Sequence, residues 1–526
     1  MLEFDHVIVG SGMAGIAAAL ELCHRGIRPC IIDAGLEPKD ETVVTENLYD
    51  YCEKNDAFNL LIGQNYSGLQ NLRKGSKYLP ARLTSPRFEF VTAGANNYTP
   101  VREHLFSSVQ SLAQGGLGNA WGAGAYRFTQ KDISNFPISV AELEPYYDKL
   151  TDEIGISGAV DDLTSYFGRG DSLQPPLRLS KNAEFVLKKY KENKNHLNSE
   201  GIIVGRPRMA VLTCGKQDRT ELEYKNLEFW QPHIPAVYSP VFTLKRLLNE
   251  NKIDYLQNLI VKNWTRKNHT LLVHSIPMGT GEPVTVKCNS LILAAGAINS
   301  SRIVLQSTGD YSTSLPLLDN PTLQIPLVLV QRLGRKLERD STGFAQLISV
   351  FDFPEFSSPV QGSFFDLTSP ARGEFFRKFP LSASGNLELI RYLLPSMLVL
   401  QIFFPSDIQQ NGQLKLEENG TLDIRGSKNK IPDWVVRKIL GALRKMGAHS
   451  AFPLVVKVPT GGGIHYGGSL PMKAKPTQKY ECDKFGQLFG EQNVFVADGA
   501  NLPSLPAKNY TFSIMANAMR IASQIT

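Results

Sequence analysis

Apolar positions at the start of the chain change period twice within thirty residues. The run "LEFDHVIV" closes on three consecutive apolar residues and predicts a strand over 4–9. A glycine-rich turn follows, then "MAGIAAALELCH" predicts a helix over about 13–24, and "RPCII" a second strand over 28–32. Together they read as a βαβ unit. Further on, "SVAELEPYYDKLTDEIG" predicts a helix with Ser139 as N-cap and Glu142 completing a capping box. "SPVFTLKRLLNENK" predicts another, and "IPDWVVRKILGALRKMGA" an amphipathic helix with Pro432 at its start.

Between these elements the pattern weakens. Residues 37–129 lack sustained periodicity, and a loop region that long is usually functional or wrapped around a ligand. The region from about 315 to 405 is strand-rich, with prolines and aromatics. Its most apolar part, 387–404, is interrupted by Glu388, Arg391 and Pro395 and so fails as a membrane span. It reads as a short helix, a break at Pro395 and a buried strand over 397–404, with a lipid-facing or lipid-substrate role as the alternative. The βα pieces lie at the start, middle and end, and strand-rich pieces are inserted between them.

Composition narrows the partners. The 526 residues are 42% hydrophobic and 20% charged, and the net charge of +6 is spread without a long basic block, which argues against nucleic acid. Six scattered cysteines form no CxxC pair and no Cys/His cluster at zinc-ligand spacing, so no metal site is expected and the thiols suit a reducing compartment. The start "MLEFDHVIVG" offers no export signal, and a cytoplasmic address is expected.

The chemistry begins in "VIVGSGMAGIAAAL", where Gly10, Gly12 and Gly15 have the G-x-G-x-x-G spacing after a strand and at the mouth of a helix. Gly10 permits the turn, Gly12 lets backbone approach a pyrophosphate, and Gly15 lets helix pack on strand. Asp33, at the end of the second strand, sits where an acid accepts hydrogen bonds from an adenosine ribose. An NAD enzyme would continue with regular βα units. Here "AQGGLGNAWGAG" offers bare backbone amides suited to a flavin and its phosphates, or else is a flexible surface loop.

Three later stretches carry two readings each. "LILAAGAINSS" is a buried strand over 291–295 stopping at Gly296, for close cofactor approach or merely a tight turn. "NVFVADGANLPSLPAKNYTFSIMANAMRIA" gives a strand over 493–497, then Asp498 and Gly499, then Asn509 before a helix starting near Thr511. That helix would direct its positive end at a ligand, or Asn509 is only its cap. In "TGGGIHYGGSLPM", His465 is a catalytic base or a histidine satisfied by backbone. Gly461, Gly462, Gly463, Gly467 and Gly468 are expected to keep side chains out of the substrate's space.

The combination of Gly10 to Gly15, Gly115 and Gly116, "LILAAGAINSSRIV", His465 and the C-terminal stretch resembles the glucose-methanol-choline family of FAD oxidoreductases. The resemblance implies a mixed α/β and α+β fold. A Rossmann-like FAD-binding domain of glutathione-reductase type (1–154, 231–310, 456–526) is interrupted by a substrate domain with an antiparallel sheet (155–230, 311–455). It implies His465 as the base for a substrate alcohol and Asn509 as the residue orienting the same oxygen, while the carbon hydride passes to flavin N5. The positions expected at the cofactor are Gly10, Gly12, Gly15, Asp33, Gly115, Gly116, Asn119, Val261, Ala295, Gly296, Asp498, Gly499 and Thr511.

Departures from the family pattern shape the expectation. In the run Gly115-Gly116-Leu117-Gly118-Asn119-Ala120-Trp121 the tryptophan resembles the pyranose oxidase and gluconate-type dehydrogenase branch, which implies a sugar-like substrate. Ala120 stands where some pyranose oxidases carry a flavin-linking histidine, so FAD is expected to bind noncovalently. Tyr510 replaces the proline common after Asn509. The expected activity is oxidation of a secondary alcohol on a sugar, glycoside or polyol; alternatives are a non-sugar or lipid-type alcohol, a flavin-fold lyase or non-redox scaffold, or an NAD-linked dehydrogenase. No motif specifies the electron acceptor.

Overall fold

The glycine turn forces the first contacts of the fold. In the computed structural model, which describes residues 1–39, 43–73, 75–367 and 381–526, the first strand is Leu2–Val9, the helix Met13–His24 and the second strand Cys30–Ile32. Gly10 has φ +99°, and a Cβ there would meet the Ala294 carbonyl oxygen at 2.7 Å. A Cβ on Gly15 would lie 1.9 Å from the Gly10 carbonyl oxygen, so only glycine lets the helix settle this close to the strand end. The helix is buried along nearly its whole length, Ala17, Ala18 and Ala19 included, because sheet and helices cover it on all sides.

Those first strands sit in a seven-stranded sheet assembled from distant parts of the chain. Leu2–Val9 pairs in parallel with Cys30–Ile32 on one side and with Val284–Leu293 on the other. Val494–Val496 adds in parallel to the same Val284–Leu293 strand, and Asp254–Leu256 extends the opposite edge. Leu259–Lys267 and Thr270–Pro277 continue the sheet as antiparallel neighbours. The C-terminal helix Thr511–Ala522 packs on Met13–His24 and on Val140–Ile154, whose capping box of Ser139 and Glu142 is formed.

The inserted strands divide between two further sheets. A six-stranded sheet runs Val456–Lys457, Thr322–Val328, Met397–Phe403, Val360–Asp366, Leu347–Phe351, Ile202–Gly205, all antiparallel. The stretch expected to break at Pro395 becomes helix Ala383–Leu393, a short 3-10 turn and the buried strand Met397–Phe403. Among the described residues no helix is long and apolar enough to cross a membrane. The third sheet orders Tyr466–Gly467, Ser314–Asp319, Gly412–Leu416, Leu422–Arg425 and Val101–His104. Its last member lies in the irregular region 37–129 and pairs in parallel with Leu422–Arg425. That pairing is long-range, so no local periodicity announces the strand. The other regular elements among the described residues of that region are short helices and 3-10 turns, joined by irregular segments.

Gly15→Ala is expected to lower the melting temperature and soluble yield, since overpacking of this kind costs about 1–3 kcal/mol or more. A thermal melt matching wild type would show that the helix tolerates displacement from the Gly10 turn.

Candidate active site

A single cavity of about 460 Å³ runs from the glycine turn to His465, walled by segments of all three sheets. Ser11, inside the turn, donates a short hydrogen bond to the Asp33 carboxylate and accepts one from the Gly115 amide at 2.9 Å. Tyr255 donates to the same carboxylate at 3.1 Å. Burial pushes the Asp33 carboxyl up to about 6, and the hydrogen bonds from Ser11 and Tyr255 pull in the opposite direction. Gly116 faces the turn, a Cβ there lying 3.5 Å from Gly12 Cα, so the two glycine-rich loops meet backbone to backbone.

At the other end His465 lies between two aromatic rings. It stacks on Phe403 with centroids 4.0 Å apart and 17° between planes, and Tyr510 lies 4.9 Å away. Its Nε2 is 3.3 Å from Asn509 Nδ2, while its Nδ1 has no hydrogen-bond partner among the described residues. What surface the ring exposes opens into the cavity. Burial pushes its pKa down to about 3, so the imidazole is neutral and able to accept a proton. Ile464, just before it, has φ +55°, a left-handed conformation that a branched side chain adopts only when its surroundings impose it.

The six-stranded sheet supplies the cavity wall beside this histidine. Gln324, Gln401 and Ser363 are register partners across three adjacent strands and all face the cavity. Phe365 and Val399, a register pair, and Phe403 flank this polar row with apolar surface. Such a wall offers hydrogen bonds along one line and apolar contact on both sides of it.

Residues 450–518, which include both His465 and Asn509, match the family model described as GMC oxidoreductase. The C-terminal segment is a GMC oxidoreductase domain. The chain is accordingly an FAD-dependent oxidoreductase acting on CH–OH groups. Among solved structures it is similar to pyridoxine 4-oxidase from Mesorbium loti, with a TM-score of 0.59 at 15% identity over 99% of this chain and 98% of that chain. That likeness is one of fold. No curated protein sequence matches the chain.

The residues at the glycine-turn end of the cavity fit FAD. Gly12 faces nothing but the Gly115 carbonyl oxygen at 4.0 Å, and a Cβ on Gly296 would meet nothing within 4 Å, which leaves backbone open toward the cavity. Helix Thr511–Ala522 has no side-chain cap, so its first amides are free for an anionic group. Asn509 is therefore not the helix cap: Tyr510 occupies that position, and the Asn509 amide turns to His465 and Gln361.

Most of the expected cofactor positions converge here: Gly10, Gly12, Asp33, Gly116, Val261, Ala295, Gly296, Asp498, Gly499 and Thr511 line the cavity. Three do not. Gly15 lies in the helix–strand contact, and Gly115 packs against Val241 and Pro240. The Asn119 side chain is turned away, donating to the Gln114 and Gly116 carbonyls and accepting from His233 and Ser239, so it braces the loop from behind. Asp498 lines the cavity, yet its carboxylate is committed to the Gly296 and Ala500 amides and the Ser300 hydroxyl.

The glycines around His465 also differ from expectation. Cβ atoms on Gly461, Gly463, Gly467 and Gly468 would strike Phe106, Thr322, the Gly499 carbonyl and Leu318 within 2.8 Å. Those four let the loop pack on protein, while Gly462 and Gly463 also line the cavity. Sequence reasoning missed Ser11, Phe403, Gln361, Gln324, Gln401 and Ser363. Only Ser11 carried a signal, its place inside the glycine signature; the others are single strand positions whose facing depends on sheet packing.

A ring neutral down to about pH 3 has a measurable consequence. Below about pH 6.5 the unfolded histidine takes up a proton that the folded one refuses, so His465 lowers stability progressively as pH falls from there toward 3. Nitrogen-15 NMR of the holoenzyme is expected to keep the His465 ring at neutral-form shifts from pH 8 to about 4; a midpoint near 6.5 would contradict its burial.

Proposed function

We propose that this enzyme oxidises a secondary alcohol, a ring hydroxyl of a sugar, glycoside or related polyol, to the ketone. The observation that carries the reading is the polar row Gln324–Gln401–Ser363 on the wall beside the His465–Asn509 pair. A substrate whose carbinol lies at His465 and whose neighbouring hydroxyls reach this row satisfies both. The flanking Phe403, Phe365 and Val399 suit the apolar C–H faces of a pyranose-sized ring. A lipid-type alcohol would leave Gln401, Ser363 and the Gln324 carbonyl oxygen without partners, only the Gln324 amide nitrogen keeping its contact to Tyr78, at a cost of about 1–3 kcal/mol for each group so buried.

In this reading His465 Nε2 takes the hydroxyl proton and Asn509 Nδ2–H donates to the same oxygen, holding it in place as negative charge develops. Phe403 and Tyr510 fix the ring plane and exclude water from it. FAD, held noncovalently by the glycine turn, Asp33 and the helix that begins at Thr511, supplies the two-electron acceptor when bound. Ala120 offers no nucleophilic atom for a covalent link. The same reading divides the chain into an FAD-binding domain of 1–154, 231–310 and 456–526 and a substrate domain of 155–230 and 311–455. Supporting it, the seven-stranded sheet takes its strands from the first three ranges.

His465→Ala is expected to remain yellow and FAD-loaded while anaerobic flavin bleaching by substrate slows by about 10²–10⁴-fold. Unchanged reduction kinetics would remove His465 from the mechanism. Stopped-flow screening of pyranoses, glycosides and cyclic polyols against long-chain alcohols and pyridoxine tests the substrate class. Bleaching by the last two but by none of the hydroxyl-rich rings would overturn the sugar reading, and a flavin unreduced by every alcohol would favour a lyase or non-redox role.

A further inference from the structure

The side chain of Gln361 touches the catalytic pair without being part of it. It lies on Val360–Asp366, two residues before Ser363 and in register with Phe403, and is 2% exposed. Its Nε2 donates to Asn509 Oδ1 at 2.9 Å, and Asn509 Nδ2 faces His465 Nε2 at 3.3 Å. The Gln361 backbone is held on both sides, by Leu347–Phe351 and by Met397–Phe403, so the donor cannot drift with the loop it serves.

An amide has one accepting end and one donating end. With Oδ1 engaged by Gln361, both N–H groups of Asn509 are left for the base and the reacting oxygen. In the resting enzyme His465 Nε2 is then the accepting nitrogen, and its one lone pair receives the hydroxyl proton once substrate enters and the Asn509 N–H passes from Nε2 to the substrate oxygen. Turning both amides over would set Oδ1 against Nε2 and require Nε2–H, which leaves the base without a lone pair on the substrate side. The two arrangements have the same shape and opposite chemistry.

We propose that Gln361 is a positioning residue: it locks the Asn509 amide with its N–H groups toward the reacting oxygen, and through Asn509 keeps His465 in the tautomer with a bare Nε2. The inference rests on the reading of His465 as the base. It joins the substrate sheet to the C-terminal catalytic loop by a single hydrogen bond. A substrate that shifts strand Val360–Asp366 would alter the base as well as its own contacts.

The test is a double-mutant cycle of Q361M and N509A in the holoenzyme, read by anaerobic stopped-flow as separate substrate binding and flavin reduction. Q361M alone is expected to slow reduction roughly tenfold, the loss of one buried hydrogen bond, with substrate Kd changed by less than about twofold. In the N509A background Q361M is expected to have no further effect. An equal additional loss there, or a Q361M loss confined to Kd, would overturn the proposal. Nitrogen-15 NMR of wild-type holoenzyme gives an answer even if Q361M folds poorly: Nε2 is expected unprotonated and Nδ1 protonated, and the reverse tautomer would overturn it. Should His465→Ala leave reduction unchanged, the reading of the base itself fails, which is distinct from loss with H465A but none with Q361M.

Discussion

The parallel seating of Val284–Leu293 between Leu2–Val9 and Val494–Val496 is the constraint on which the rest of the site depends. Parallel strands in one sheet end on the same side, so this pairing brings the ends of three strands from the beginning, middle and end of the chain to one edge. Gly10, Gly296 and Asp498 lie within three residues of those three ends, and Asp498 fastens the last two together by accepting from the Gly296 amide. Ligands in such sheets bind beyond the carboxyl ends of the strands, and the cavity opens there.

The His465 end of the cavity is built by a different rule. His465 comes from a loop whose glycines let it press against Phe106, Thr322 and Leu318, and that close packing buries the ring on Phe403. Burial keeps the imidazole neutral, which suits a proton acceptor and costs stability in acid. The remaining polar contacts of the pair come from the antiparallel sheet through Gln361. One wall of the cavity therefore carries both the polar row and the contact to Asn509, because side chains two residues apart on a strand share a face.

Much of this could be read along the chain. The glycine spacing, the acid at Asp33 and the strand–helix–strand order announce the nucleotide-type unit because their geometry is local: a turn, a close approach, a helix mouth. The capping box at Ser139 and the break at Pro395 are equally local, and both formed where their residues indicated. The direction of the Asn119 side chain was not legible for the opposite reason. Gly116 and Gly118 just before it line the cavity, but its side-chain oxygen is consumed by His233 and Ser239, more than a hundred residues away.

What the sequence determined by itself is the set of elements and the chemistry available: a backbone able to approach phosphates, and a histidine and an asparagine in a segment that matches the GMC oxidoreductase model. What only the tertiary structure decided is which atoms face one another. That Gln361 meets Asn509, that Gln324, Gln401 and Ser363 form one row, and that Val101–His104 becomes a strand are consequences of pairings between residues far apart in the chain. Local periodicity reports how a segment relates to its own neighbours. It carries no information on register with a distant strand, and a shift of one residue there would turn every side chain of the polar row away from the cavity.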